Sequence, residues 1–528
     1  MKPTILEIRI SKGVSELPGR FEWARSAGAS FHEIERALER ARVDQRIGAL
    51  YLELADIEIG WSQAESLHRG IRALRSQGKA TVAFIEGAAN ATFLLACACE
   101  TIVLAPSATL SLQALSSEGL FFKDLLGELG VSPELDAVGE FKSAGEMFEQ
   151  RCSSEPHRRE MKSILEDMNE QFIRHIAEGR DMTPDAAAAA IASGPHMAED
   201  AKRAGLVDEL GYEDSCDTLF EEALGKKAKR IEYTRYGSPG WLGRVARWRC
   251  PRVAVLHAVG VLTTGVGRST ASANTLREAL QKLRRDRRVR AIVLRIESPG
   301  GGVIASDAIH RELSLTVKEK PVVVSMGNIA ASGGYYIAAA ASALVAEGTS
   351  LTGSIGVIGG KFVVRRLLDR LGIHRETIAL EGNAGIHSPL RSFTEEQRAW
   401  HRRYLEEFYS GRFLPVVAEG RGLTIEQADA AGRGRVWTGR QALGLGLVDE
   451  LGGLNTAIRL AAQKAHLDLR KARIAFYPSR RSLLERLRVG LAGPREGLIT
   501  ELLERLALVD TLAREELLLL MPRIFRIR

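Results

Sequence analysis

The sequence predicts an α/β protein in which one domain of parallel β-α-β units occurs twice in tandem, followed by a helical tail. Three observations carry that expectation. Short apolar runs alternate with helical segments, the arrangement that joins parallel strands by right-handed crossovers. The chain resembles itself at one nearly constant offset. At 528 residues it is also too long for one ordinary core.

The repeat is visible in four pairs of stretches. Gly48-Ala-Leu-Tyr-Leu-Glu-Leu54 parallels Arg290-Ala-Ile-Val-Leu-Arg-Ile296, with the shared alanines at 49 and 291, an offset of 242. Asp124–Val131 parallels Arg366–Ile373 with glycines at 130 and 372, again 242 apart. Ala177-Glu-Gly-Arg180 matches Ala418-Glu-Gly-Arg421, and Gly205-Leu-Val-Asp-Glu-Leu-Gly211 matches Gly446-Leu-Val-Asp-Glu-Leu-Gly452, both at 241. The expected organisation is an N-terminal domain over 1–235, a linker over 236–252, a C-terminal domain over 253–470 and a tail over 471–528.

Within the second copy the apolar run Ala291–Ile296 reads as a strand, Ala305–Lys318 as a helix, Val322–Ser325 as a buried strand and Gly334–Ala343 as an Ala-rich helix. Ala343–Ala346 and the chain from Thr352 onward read as further strands. Glu395–Glu419 and its partner Glu155–Glu178 are charged and helical in period. The linker contains Gly237-Ser-Pro-Gly240, which breaks regular structure, and a basic aromatic run, Trp241–Arg249, that suits either a membrane surface or a helix docked on the fold. In the tail, Ser482–Leu491 and Leu498–Leu508 carry leucines at helical spacing with arginines opposite, and Leu517-Leu-Leu-Leu-Met521 precedes Pro522. Such a tail suits anionic lipid or a neighbouring subunit.

Composition narrows the function classes. Hydrophobic residues make up 45% and charged residues 26%, which is globular. The net charge of +7 is spread along the chain without a nucleic-acid-binding signature. The five cysteines form neither a disulfide framework nor a metal spacing, and Cys97-Ala-Cys99 reads as buried thiol. The N-terminus alternates like a strand and lacks a signal-peptide core, and no apolar run reaches 18 residues. The expected location is cytoplasmic, or peripheral on the inner membrane.

Chemistry concentrates around Ser332, the one non-phenolic hydroxyl in Met326–Ala341, at a strand-to-helix turn. A serine there can present its Oγ while the backbone N–H groups of the new turn face the same space. A second glycine turn, Ser298-Pro-Gly-Gly-Gly302, follows the preceding strand, so the N–H groups of Gly301 and Gly333, with Gly300 beside them, suit an oxyanion hole. Two glycine turns that merely pack a helix on a sheet are the bland alternative. The first copy lacks this pattern: Asn90 or Ala91 falls opposite Ser332, and Asp56–Gly60 opposite the glycine turn. The reverse holds for Lys142, between Phe141 and Phe148, whose counterpart is Ala384. Burial there would lower the lysine pKa toward that of a general base, whereas pairing with Glu140 or Glu146 would make it an ordinary surface lysine. A rival base is histidine: His257, His310, His374 or His387, with Asp307 or Asp369 as orienting acid.

Together the stretches Glu297-Ser-Pro-Gly-Gly301, Ser325–Tyr335, Leu351-Thr-Gly-Ser-Ile-Gly-Val357, Gly434-Arg-Val-Trp-Thr-Gly439 and Phe141-Lys-Ser-Ala144 resemble the signal peptide peptidase A (protease IV) family in its long, tandem-domain form. The resemblance implies two Clp/crotonase-like domains and a Ser/Lys dyad joining Ser332 as nucleophile to Lys142 as base. It further implies that Ser354 orients the lysine, that no metal or cofactor is used, that the substrates are apolar peptides such as cleaved signal peptides, and that the chain forms a homo-oligomer, a tetrameric bowl. Long-form members carry an N-terminal membrane anchor, of which this sequence shows no sign. Two other classes share parts of the pattern: a crotonase-like enzyme acting on an acyl thioester, for which Ser332 would be dispensable, and a non-catalytic scaffold.

Overall fold

A computed structural model describes residues 3–16, 29–55, 57–236, 250–264, 271–380, 383–477, 517–521 and 526–527. Most of the linker, and the tail stretches Ser482–Leu491 and Leu498–Leu508, lie outside the described residues.

The first half is built on a parallel sheet in the order Glu209–Leu210, Thr101–Leu104, Ala80–Ile85, Ile47–Leu54, Thr4–Ile10, Lys229–Glu232. The second half repeats that order with Glu450–Leu451, Ala343–Ala346, Val322–Ala331, Val289–Ser298, Arg252–Val259 and Arg473–Tyr477. These strands are near-continuous apolar runs because helices cover both faces. Alternate side chains serve opposite cores. Leu50 and Leu52 pack toward the helices Phe31–Val43 and Trp61–Arg75, whereas Ala49 and Tyr51 meet Cys216 and Phe220 of the helix Ser215–Leu224. In the second half Ile292 and Leu294 face one core while Ala291 and Val293 meet Leu454 and Ile458. Cys97 and Cys99 are buried thiols, as read from their apolar surroundings.

Several boundaries move. The strand beginning at Val322 runs on to Ala331, and the helix after Ser332 spans only Gly333–Ala338. Glu155–Arg180 is one continuous helix, but its partner is divided into Glu395–Phe408 and Leu414–Arg421 by a π turn at Tyr409–Phe413. Pro415 has no N–H to return to the carbonyl of Gly411, which accounts for the interruption. The sheet of the second half takes in Arg473–Tyr477, past the expected boundary at 470. Within the expected helical tail Arg473–Tyr477, Leu517–Leu520 and Arg526–Ile527 are strands, each paired with a strand outside the tail.

The halves do not merely abut. Ser132–Val138 of the first half pairs antiparallel with Val357–Val363 of the second over seven residues, from Ser132 opposite Val363 to Val138 opposite Val357. Buried polar groups reinforce the junction. Arg295 meets Glu16 at 2.7 Å, Glu65 accepts from the Thr349 N–H at 3.0 Å, and Asp167 accepts from Arg440 at 2.7 Å. Among the described residues, no helix is long and apolar enough to cross a membrane.

The Arg295 and Glu16 side chains are 1% and 6% exposed, so neither charge can be rescued by water. Arg295→Met is expected to lower unfolding stability by about 3 kcal/mol or more, because it leaves a buried unpaired carboxylate. Adding Glu16→Gln should recover much of that loss in urea denaturation.

Candidate active site

Ser332 is fully buried and sits between the strand ending at Ala331 and the helix beginning at Gly333. Its backbone is strained, with φ 55° and ψ −114°, a conformation that non-glycine residues hold only when the surroundings enforce it. Enforcement comes from the Ser332 N–H, which donates to the Gly353 carbonyl at 2.7 Å. Ser354 is held the same way, with φ 50° and its N–H donating to the Arg435 carbonyl at 2.7 Å.

Lys142 reaches this pair through the shared sheet. Val138 ends the strand that crosses from the first half, and three backbone bonds then fix the loop: Phe141 N–H to Arg433 O at 2.8 Å, Lys142 N–H to Gly139 O at 3.0 Å, and Gly434 N–H to Ile355 O at 2.7 Å. Gly434 lies against the lysine so closely that a Cβ on it would fall 2.5 Å from the Lys142 nitrogen. At φ 81° it also occupies the left-handed region that favours glycine. The result is a lysine Nζ 2.7 Å from Ser332 Oγ, 3.0 Å from Ser354 Oγ and 3.1 Å from the Ser354 carbonyl.

Burial controls its charge. Lys142 is 5% exposed, and among the described residues no carboxylate lies within ion-pair distance of it. Desolvation brings its pKa down from 10.5 to about 7, opposed weakly by the Glu160 carboxylate. The two acids that would have made it a surface lysine are engaged elsewhere, Glu140 with Arg159 and Glu146 with the Ser154 hydroxyl and N–H. As a neutral amine, Lys142 donates two N–H bonds to Ser354 and accepts the Ser332 O–H on its lone pair.

The glycine turns meet the serine from the other side. A Cβ on Gly301 would stand 2.1 Å from the Leu262 carbonyl, and one on Gly333 would stand 3.1 Å from the Gly301 nitrogen. The backbones of Gly301 and Gly333 are therefore in contact beside Ser332. The Gly300 N–H donates to Ser298 Oγ at 3.2 Å and forms the turn.

The candidate histidines lie elsewhere. His257 is buried beside His32 and Phe476, His310 packs on Tyr336, and His374 and His387 are exposed. Asp307 accepts from the Tyr336 hydroxyl at 2.8 Å, and Asp369 is exposed. In the first half, Asn90 follows the strand Ala88–Ala89 as Ser332 follows its own. Its amide is closed onto Gln113, donating to that carbonyl and accepting from that N–H, both at 2.9 Å. Sequence reasoning missed Gly434 and the Arg435 carbonyl as supports; the stretch Gly434–Gly439 carried the family resemblance but suggested no role. Among the described residues no group of His, Cys, Asp or Glu is disposed to hold a metal ion.

Comparison with known proteins gives a consistent picture. The model of peptidase family S49 matches twice, at residues 73–227 and 314–468, and that of Clp protease matches 254–346. The chloroplastic serine protease SPPA of Arabidopsis thaliana is 30% identical over 482 residues, covering 89% of this chain and 70% of that one. Protease 4 of Salmonella typhi is 30% identical over 492 residues, covering 90% of this chain and 78% of its own. Protease 4 of Haemophilus influenzae is 30% identical over 452 residues, covering 82% and 73%.

The depressed lysine pKa has a stability consequence. Between about 7 and 10.5 the unfolded chain binds a proton at Lys142 that the folded chain excludes, so this group makes stability rise with pH across that window. Below it, burying the ammonium costs on the order of 5 kcal/mol. Lys142→Met, similar in length and uncharged, is expected to be more stable than wild type at pH 6, by on the order of 2 kcal/mol once the serine hydroxyls it strands are counted. Urea denaturation at pH 6, 8 and 10 should show that gap closing as pH rises.

Proposed function

The chain belongs to peptidase family S49 and is a serine peptidase, and from that membership we propose that it hydrolyses apolar peptides through an acyl-enzyme on Ser332, with Lys142 as general base. The single observation that carries this reading is the buried Lys142 amine, 2.7 Å from Ser332 Oγ with a pKa near 7. Near neutral pH a large fraction of the amine is unprotonated, and its lone pair takes the Ser332 proton as Oγ attacks the peptide carbonyl. Ser354 holds the amine through its hydroxyl and carbonyl, so the lone pair stays aimed at Ser332. The Gly301 and Gly333 N–H groups receive the developing oxyanion, a contribution worth about 3 kcal/mol per donor. The lysine then returns the proton to the leaving amine and activates water for deacylation.

An apolar substrate is supported by the apolar character of the structure next to the site. Leu351 and Val436, each within a few residues of the Ser354 to Arg435 hydrogen bond, cluster with Ile164 and Met168. A homo-oligomer is part of the same reading. His374–Leu380 is the counterpart, 242 residues on, of the strand Ser132–Val138 that joins the halves. It pairs with no strand among the described residues and leaves Ile378 and Leu380 93% and 90% exposed. A neighbouring copy would give it the edge it lacks.

Hydrolysis of an apolar peptide ester should fall at least ~10³-fold in Ser332→Ala and in Lys142→Ala and stay within roughly twofold of wild type in His387→Ala. In wild type, kcat/KM should rise with pH through a limb near 7 as the lysine loses its proton. An active Lys142→Ala beside an inactive His387→Ala would overturn the assignment of the base. Ile378→Asp is expected to reduce the solution mass measured by light scattering while leaving the fold intact.

A further inference from the structure

Behind Lys142 lies a buried polar cluster that the dyad itself does not use. The helix Glu155–Arg180 starts beside the lysine loop, because the N–H and the hydroxyl of its N-cap Ser154 both donate to the Glu146 carboxylate, at 3.0 and 2.6 Å. His157 and Glu160, three residues apart, share one face of that helix. Both side chains are buried, as is Ser143, the residue after the lysine.

Their contacts run to the two chain segments that hold the base. His157 Nδ1 lies 2.8 Å from Ser143 Oγ and 3.5 Å from Glu160 Oε2, while Glu160 Oε1 accepts from the Val436 N–H at 2.5 Å. Val436 follows directly on Arg435, whose carbonyl holds the Ser354 N–H. One carboxylate thus ties the loop that carries Lys142 to the strand that fastens Ser354. Counted from the N-caps Ser154 and Thr394, the counterparts of His157 and Glu160 in the second half are Gln397 and Trp400. The half without the lysine has neither group at those positions.

Charge points the same way. Among the described residues Glu160 is the carboxylate that acts on the Lys142 amine, and it does so from beyond ion-pair distance. Burial pushes its own carboxyl up, while His157, the Val436 N–H and Arg435 favour its ionised form. The Arg435 guanidinium that faces it stacks between Trp437 and Phe141. The other charges flanking the loop pair with one another, Arg159 with Glu140 and Arg433 with Asp429.

We propose that Glu160, with His157, is a positioning residue for the reaction: its tethers to Ser143 and Val436 keep Lys142 on line with Ser332, and its carboxylate is the distant counter-charge to the ammonium that forms when Lys142 takes the Ser332 proton. The proton passes from Oγ to Nζ and on to the leaving amine. Glu160 itself takes none, as with the acid behind a histidine base. The proposal rests on the reading of Lys142 as base.

The test measures kcat and KM for an apolar peptide ester between about pH 5 and 9 in three chains. Beside wild type stand Glu160→Gln, which keeps an acceptor for the Val436 N–H without the charge, and Ser143→Ala, which cuts the tether and keeps the charge. In Glu160→Gln the limb near 7 should move to lower pH by about half a unit or more, because the ammonium loses its facing anion. Its kcat above the limb should fall at least about fivefold, with KM within about twofold. In Ser143→Ala kcat should fall about tenfold with the limb in place. Urea midpoints register lost packing separately, and packing alone does not move the limb. A Glu160→Gln limb that coincides with wild type would overturn the counter-charge, and an unchanged kcat in Ser143→Ala would overturn the tether. If Glu160→Gln is too unstable to assay, Glu160→Asp, shorter but charged, should lower kcat with the limb unmoved, and a limb displaced to lower pH there would count against the proposal. A Lys142→Ala chain that keeps the wild-type profile would dismiss the lysine as base and the proposal with it, a distinct result because the limb would survive loss of the lysine.

Discussion

A lysine ammonium stripped of water and given no carboxylate in return is the constraint around which this structure is arranged. Lys142 is almost wholly buried, and its Nζ contacts three oxygen atoms, none of them charged. Such a site resists the proton and stabilises the neutral amine, which is what a hydroxyl nucleophile needs beside it. Holding those atoms together has a structural cost. Ser332 and Ser354 both adopt positive φ, each a strain of about 1–3 kcal/mol. Their N–H groups are fastened to Gly353 and Arg435, and Gly434 leaves the lysine backbone the space that any side chain would fill.

This constraint also explains the division of labour between the repeats. The first half supplies the lysine at the end of a strand that leaves its own sheet and pairs with Val357–Val363 of the second. Because Val138 faces Val357, four residues before the lysine and three after Ser354, the register of one ladder sets the distance between Lys142 and the two serines. A slip of one residue would turn the strand's side chains to the opposite face. The first half's own counterpart of the site has been turned to structural use: Asn90 stands where a serine would be and ties its amide to Gln113. The buried pair Arg295 and Glu16 and the Asp167 to Arg440 bridge keep the halves in register around the lysine.

Much of the fold was legible in the chain, and so were the residues that the structure brings together in the candidate site. Near-continuous apolar runs marked strands covered on both faces, and the repeat offset of 241–242 residues reappears as one six-strand order shared by the two sheets. Ser332 announced itself as a lone hydroxyl at a strand-to-helix turn, and Lys142 as a lysine between two phenylalanines. Other features were less visible. The leucine-rich segment at 517–520 falls within the expected helical tail but lies as a strand, because two sheet edges offer its backbone more than a local helix does. The histidines looked like candidate bases only as letters; His257 is enclosed by His32 and Phe476, and His387 lies at the surface.

By itself, then, the sequence determined the repeat, the parallel α/β architecture and the candidate serine and lysine, since periodicity, glycine turns and residue types are local properties of a chain. It did not determine that Lys142 and Ser332, 190 residues apart, share a hydrogen bond, that Gly434 must stay small, or that Leu519 sits against the Gly301 backbone. Those depend on strand pairing between distant segments and on how completely water is excluded. Both are decided only when the two halves close on each other, because desolvation and ladder register are properties of the assembled sheet.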